Sequence, residues 1–97
     1  MLPPDAPMIE RGMDMLCSVP PTPGFALFGD LVKEFGALDQ GECRQCIGLA
    51  AAHFEIELVS ANEPGAGRKI SINEKSWPKA RNHLNAWWDK HYPDDGA

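Results

Sequence analysis

The sequence has no long apolar run, few basic residues and only three cysteines. No apolar run approaches the roughly 18 residues that a membrane-spanning helix needs, so we predict no membrane partner. The N-terminus lacks the basic segment and the long apolar stretch of a secretory signal. Three cysteines cannot all pair within one chain, unlike the cysteines of an extracellular disulfide framework. We therefore predict a cytoplasmic chain with free thiols.

Basic residues are scarce and unevenly placed. The chain has 9 basic and 14 acidic residues, a formal net charge of −5. Residues 1–66 contain three basic and ten acidic residues, whereas residues 67–97 contain six basic and four acidic residues. The acidic excess disfavours a general nucleic-acid binder, which depends on positive charge. The uneven distribution indicates either two halves that attract each other in the fold or a basic half that faces an anionic partner.

The sequence also lacks a convincing arrangement for catalysis or metal binding. Cys43 and Cys46 form a Cys-x2-Cys pair, but a structural zinc needs four ligands, and Cys17 and the three histidines supply no second close pair. No spacing brings a nucleophile, a base and an orienting group together. The glycines at 65 and 67 lack the strand-to-helix setting of a phosphate-binding loop. We predict no enzyme activity, no metal site and no cofactor.

Length and periodicity predict a single α+β domain over residues 1–97. The proline-rich residues 1–7 are predicted to be frayed, and residues 94–97 to form a disordered tail. A short first helix over residues 8–17 is weakened by Gly12. A second helix is predicted to begin with Thr22 as its cap and Pro23 at its first position. Its apolar stripe from Phe25 to Phe35 is expected to lie in the core.

The third helix has the clearest periodic pattern in the chain. Asp39 and Glu42 form a start that resembles a capping box. The opposite face, residues 48–52, is almost uncharged, so this helix is either buried on both sides or presents an apolar surface to a partner. Leu49 and Ala52 are therefore candidate protein-binding residues, and a homodimer through this face is an open possibility. The apolar stripe consists of Cys43, Cys46, Ile47, Ala50 and Phe54.

A β-hairpin and an aromatic helix complete the predicted domain. Residues 55–60 and 68–73 alternate as two strands, with a projecting loop over residues 62–67 and with Glu55 and Glu57 opposite Lys69. The last helix is predicted to begin with Ser76 as its cap. Adjacent positions on a helix are about 100° apart, so Trp87 and Trp88 cannot both point into the core. The outward tryptophan is a candidate binding residue.

The order of these elements resembles a winged helix over residues 25–73. In this resemblance the third helix takes the place of the recognition helix and the hairpin loop that of the wing. The resemblance implies contacts with duplex DNA, for which the candidates are Arg44, Arg68, Lys69, Lys79 and Arg81. The third helix, however, offers one basic residue and then an apolar surface, whereas DNA-reading helices are rich in Arg, Lys, Asn and Gln.

These observations favour a domain that works by binding. The leading hypothesis is a non-enzymatic regulatory or inhibitory adaptor that binds a protein. Phages and other mobile elements encode such proteins against host nucleic-acid-handling machines, and anti-CRISPR inhibitors are an example. The candidate protein-binding residues are Leu49, Ala52, Trp87 and Trp88. The alternative hypothesis is a winged-helix transcriptional regulator that binds DNA through the basic residues above.

Overall fold

Four helices and three strands make up the described part of the computed structural model, residues 6–65 and 67–92. The helices are α1 (Ala6–Leu16), α2 (Phe28–Phe35), α3 (Gln40–Phe54) and α4 (Trp77–His91), and the strands are β1 (Ala26–Leu27), β2 (Leu58–Glu63) and β3 (Gly67–Ile72). This confirms the predicted α+β class and the order of helices, hairpin and closing helix. The predicted frayed N-terminus and disordered C-terminal tail fall mostly outside the described residues, which omit residues 1–5 and 94–97. Residues 6 and 7, predicted to be frayed, instead begin α1.

The three strands form an antiparallel sheet in the order β1-β3-β2. The segment before β1 also follows β3, because Thr22 N donates to Ile72 O at 2.9 Å and Ile72 N donates to Pro20 O at 2.9 Å. This extended path makes the predicted helix start at Thr22 and Pro23 wrong, and α2 begins at Phe28 instead. Phe25 therefore precedes the helix and is 44% exposed rather than buried.

Helices α1 and α3 form the centre of the core. Gly12 faces α3 so closely that a Cβ at this position would lie 2.0 Å from the carbonyl oxygen of Cys46 and 2.8 Å from Ala50 Cβ. The sequence predicts that Gly12 weakens the first helix, but in the structure its missing side chain permits the close contact between α1 and α3. Met13 and Ile47 are among the fully buried side chains of this core.

Helix α3 begins as predicted, because the side chain of Asp39 accepts a hydrogen bond from Glu42 N at 2.9 Å. The helix ends at Phe54, and the residue that follows it, Glu55, has φ 57° in the left-handed region. This turn delays the second strand to Leu58, so the predicted pairing of Glu55 and Glu57 with Lys69 is wrong. Lys69 lies opposite Ala61, and Glu55 instead forms an ion pair with Lys79 on α4.

The hairpin loop is shorter than the sequence predicts, because both strands lie nearer to it: β2 ends at Glu63 and β3 begins at Gly67. Pairing continues to Glu63 opposite Gly67, so the predicted projecting loop over residues 62–67 is wrong. Residues 60–62 on β2 and Arg68 on β3 are exposed, whereas Ile70 and Ile72 are buried. The outer half of the hairpin therefore lies away from the core.

Helix α4 packs on the core through few side chains. Ala80 and Leu84 are its buried residues, and Trp77 and Trp87 are half-buried. Ser76 stands at the N-cap position, but its hydroxyl accepts a hydrogen bond from Glu57 N at 3.2 Å rather than capping the helix. No helix in residues 6–65 and 67–92 has the length and apolar character to cross a membrane.

Candidate functional site

A groove with a volume of about 420 Å³ runs along α4. Its wall on α4 is a single helical stripe, because the lining residues at 77, 81, 84, 85 and 88 recur at spacings of three or four. At a rise of 1.5 Å per residue, the tryptophans at its two ends are about 16 Å apart along the helix. We call this feature the α4 groove, and its lining residues are Cys17, Trp77, Arg81, Leu84, Asn85 and Trp88.

The α4 groove combines an apolar floor with a positive charge. Leu84 is buried and Cys17, which directly follows α1, is half-buried. Arg81 is exposed and makes no hydrogen bond or ion pair within residues 6–65 and 67–92. Trp88 is 50% exposed and stacks on Tyr92, with ring centroids 4.5 Å apart. The groove thus presents a large aromatic surface beside an arginine whose donors are available to a partner.

The two adjacent tryptophans have different surroundings. Trp87 is half-buried, and its Nε1 donates a hydrogen bond to Asp14 Oδ1 at 2.9 Å. The His91 ring lies against it, with ring centroids 3.8 Å apart. This confirms that only one of the pair points towards the core, and it identifies Trp88 as the outward residue. Trp87 links α4 to α1.

Asp14 also influences the other titratable groups at this junction. Its charge raises the pKa of the Tyr92 hydroxyl, which lies 3.5 Å from Asp14 Oδ1. Burial, followed by the same carboxylate, raises the pKa of the Cys17 thiol. Because a thiolate is the nucleophilic form of cysteine, Cys17 is suited to packing in the groove rather than to covalent chemistry.

The other predicted protein-binding residues lie elsewhere. Leu49 is half-buried and Ala52 is exposed on α3, and neither lines the α4 groove. Trp87 contributes to a separate cavity of about 230 Å³ beside Phe54 and His83. The structure therefore does not bring the four predicted residues into one site.

The predicted nucleic-acid-binding residues are also dispersed. Lys79 Nζ lies 2.9 Å from Glu55 Oε2, and Lys69 Nζ lies 4.7 Å from the centre of the Phe25 ring. Arg81 belongs to the α4 groove. Arg44 on α3 and Arg68 on β3 are exposed. Two of the five cations thus already contact other parts of the fold.

A larger cavity of about 740 Å³ lies between the N-terminal parts of α1 and α3. Its basic residue and one of its carboxylates already bind each other: Arg11 forms an ion pair with Glu42, and Glu42 Oε2 also accepts a hydrogen bond from Leu38 N at 3.4 Å. Leu38 is 89% exposed at its edge. Because these polar groups satisfy each other, the larger cavity offers a ligand less specific recognition than the α4 groove.

The Cys-x2-Cys pair is part of the core. Cys43 and Cys46 are both buried, and burial raises the pKa of each thiol. Among the described residues, no group of three or more His, Cys, Asp or Glu side chains is placed to hold a metal ion.

Sequence reasoning identified Trp88 but missed the groove to which it belongs. The spacing of Trp77, Arg81, Asn85 and Trp88 was a signal for one shared stripe. The stripe lies at the boundary between the buried and the exposed face of α4, because Trp77 is half-buried and Arg81 is exposed. Cys17 had no sequence signal, since only the packing of α1 against α4 brings it to this site.

Comparison with known proteins adds no relative to these observations. The chain matches no protein-family model, no curated protein and no solved structure.

Proposed function

We propose that this domain is a non-enzymatic adaptor that binds a protein partner through the α4 groove. The observation that carries the proposal is Trp88, a large aromatic side chain that is half exposed beside Arg81, whose side chain has no partner in residues 6–65 and 67–92. Tryptophan and arginine are enriched among the residues that dominate binding energy at protein interfaces. Tryptophan also adds much contact area with only two side-chain torsions to order.

The exposed part of Trp88 is large enough to matter for affinity. A buried aromatic side chain covers about 150–250 Å², so the exposed half of Trp88 corresponds to roughly 100 Å². At about 25 cal/mol per Å², covering this area favours association by about 2–3 kcal/mol. One side chain can therefore change the affinity about 30-fold or more.

The finer proposal is a cytoplasmic regulatory or inhibitory adaptor. Its partner would be a nucleic-acid-handling machine of a host cell, as for the anti-CRISPR inhibitors that phages encode. The small size, the net charge of −5 and the lack of a sequence pattern for catalysis support this class. In this proposal the domain acts by occupying a surface of the machine.

Affinity capture with matched variants tests the proposal. Wild type, Trp88→Ala and Val59→Ala are immobilised and exposed to lysate of the source cells. Val59 is a suitable control because it is 39% exposed on β2, away from the groove. We expect one protein to be retained by wild type and Val59→Ala, and Trp88→Ala to lose it.

The recovered partner separates the general proposal from the finer one. We expect a nucleic-acid-handling enzyme whose activity falls when wild type is added and recovers with Trp88→Ala. A partner of another kind would contradict the finer proposal only. If Trp88→Ala retained the partner as well as wild type does, this result would contradict binding through the groove.

DNA binding is the second candidate function. One observation favours it: β1 pairs with β3 and adds a third strand to the hairpin. The helices and the hairpin already follow the order that resembles a winged helix. The exposed Arg44 and Arg68 would then contact phosphates. This candidate predicts a shift of duplex DNA at low salt that weakens in Arg44→Gln and Arg68→Gln but not in the control Lys33→Gln on α2. If duplex DNA does not shift at low salt, this candidate is wrong.

A further inference from the structure

We propose that the α4 groove recognises an acidic amphipathic segment of a protein, with apolar side chains between Trp77 and Trp88 and a carboxylate on Arg81. This inference rests on the proposed function and names the chemistry of the partner.

The charge of the groove points to an anionic partner. Among the described lining residues, Arg81 is the one charged side chain and none is acidic. The nearby Asp14 is not a lining residue and forms no ion pair with Arg81 among the described residues; it accepts hydrogen bonds from Trp87 Nε1 and the Tyr92 hydroxyl. A carboxylate on Arg81 would form charge-assisted hydrogen bonds beside an apolar wall, where water competes less with them.

The size of the groove suits a short segment of protein. Its length of about 16 Å corresponds to about three turns of an α-helix or to five residues of extended chain. Leu84 and the two tryptophans form apolar surfaces along one direction on α4, and Cys17, which follows α1, adds to them. An amphipathic helix fits such a groove with apolar residues three or four positions apart. Asn85 offers a donor and an acceptor at the groove wall.

A single-stranded nucleic acid is the competing occupant, because bases stack on tryptophan and phosphates bind arginine. The groove suits it less well. One side of the Trp88 ring is already covered by Tyr92. Single-stranded nucleic acid also requires a run of cations along its backbone, whereas the described part of this groove supplies Arg81 alone.

Selection from a random peptide library displayed on phage tests the inference. The library is selected on wild type and depleted on Trp88→Ala. Enriched peptides are then synthesised and titrated by calorimetry against wild type, Arg81→Gln and the control Lys75→Gln, which changes an exposed lysine outside the groove. Thermal unfolding establishes that each variant is folded. An oligothymidine is titrated in parallel.

We expect enriched peptides that combine Leu or aromatic residues with Asp or Glu. Arg81→Gln should weaken their binding about 10-fold, and Lys75→Gln should leave it unchanged. Replacing the peptide carboxylate by an amide should weaken binding to wild type but have little further effect on Arg81→Gln, because both changes remove the same contact.

Three outcomes would overturn the inference. Basic or uncharged peptides that depend on Trp88 would contradict the acidic partner while leaving the proposed function intact. Oligothymidine binding that is lost in both Trp88→Ala and Arg81→Gln would assign the groove to nucleic acid. A library without any Trp88-dependent peptide would contradict peptide recognition, whereas the proposed function is judged separately by capture of the folded partner from lysate.

Discussion

The contact between α1 and α3 differs sharply from the surface of α4. At the first contact the two backbones approach so closely that only glycine fits at position 12, and Met13, Cys46, Ile47 and Ala50 are almost fully buried. Helix α4 buries mainly Ala80 and Leu84 and leaves Trp88 half exposed. The difference agrees with the proposed function, in which α1 and α3 supply stability and α4 presents a surface to a partner.

The largest expected effect is at the α1–α3 contact. Gly12→Ala places a methyl group against the main chain of Cys46, which cannot move away easily. Overpacking of this kind costs about 1–3 kcal/mol, and alanine's higher helix propensity offsets at most about 1 kcal/mol. We expect a net loss of about 2 kcal/mol in the free energy of unfolding and a fall of about 10 °C in Tm, measured by thermal unfolding.

Gly48→Ala is the matched control on α3. A Cβ at this exposed position would meet nothing within 4 Å. The same substitution should therefore stabilise the protein by about 0.5–1 kcal/mol through helix propensity. If both variants shifted Tm in the same direction, the close contact at Gly12 would not be the reason for its glycine.

A smaller effect is expected within α4 itself. Trp87→Phe removes the hydrogen bond to Asp14 and should cost about 1 kcal/mol, because the half-buried carboxylate regains water only in part. Trp88→Phe should change the free energy of unfolding by less than about 0.5 kcal/mol. Chemical denaturation of both variants measures the difference. Equal losses would show that the two tryptophans share a structural role.

The smallest expected effect concerns the exposed ion pair between Glu55 and Lys79. The hydrogen bond from Lys79, and then its charge, lower the pKa of Glu55 below its ordinary value of 4.5. A carboxyl whose pKa is lowered by folding stabilises the folded state above its unfolded pKa, and this contribution disappears as pH falls through the folded pKa. The pair should therefore weaken only below about pH 4.5.

Titration of Glu55 by NMR checks this expectation. Lys79→Ala should raise the pKa of Glu55 towards its ordinary value, whereas Lys75→Ala should not change it. Because the pair is exposed, its effect on Tm should be small. An unchanged pKa in Lys79→Ala would contradict the assigned cause.

Much of the helical fold could be predicted from local patterns. The Asp39 cap and the apolar stripe of α3 are local features, and the structure confirms both. The path through Thr22 and Phe25 could not be predicted, because it depends on hydrogen bonds to Ile72, 50 residues later in the chain. The turn at Glu55, which delays β2 to Leu58, could not be predicted either, since a non-glycine residue at positive φ has no strong sequence signal.

The candidate site was only partly predictable. Because adjacent helix positions are about 100° apart, one of the two tryptophans had to point outward. Trp88 is the outward one because Trp87 is held by its hydrogen bond to Asp14, which is 73 positions away in the sequence. Arg81 was assigned to a nucleic-acid surface on charge alone. Helical spacing places Arg81 on the same stripe as Trp88, whereas the remaining wall of the groove depends on Cys17, which the packing of α1 against α4 brings to it.

The most direct test of the central claim is the affinity of Trp88→Ala for the partner recovered with wild type. We predict a loss of about 30-fold or more in calorimetric titration, with a Tm within about 3 °C of wild type. An affinity equal to that of wild type would contradict the assignment of Trp88 and the α4 groove to partner binding.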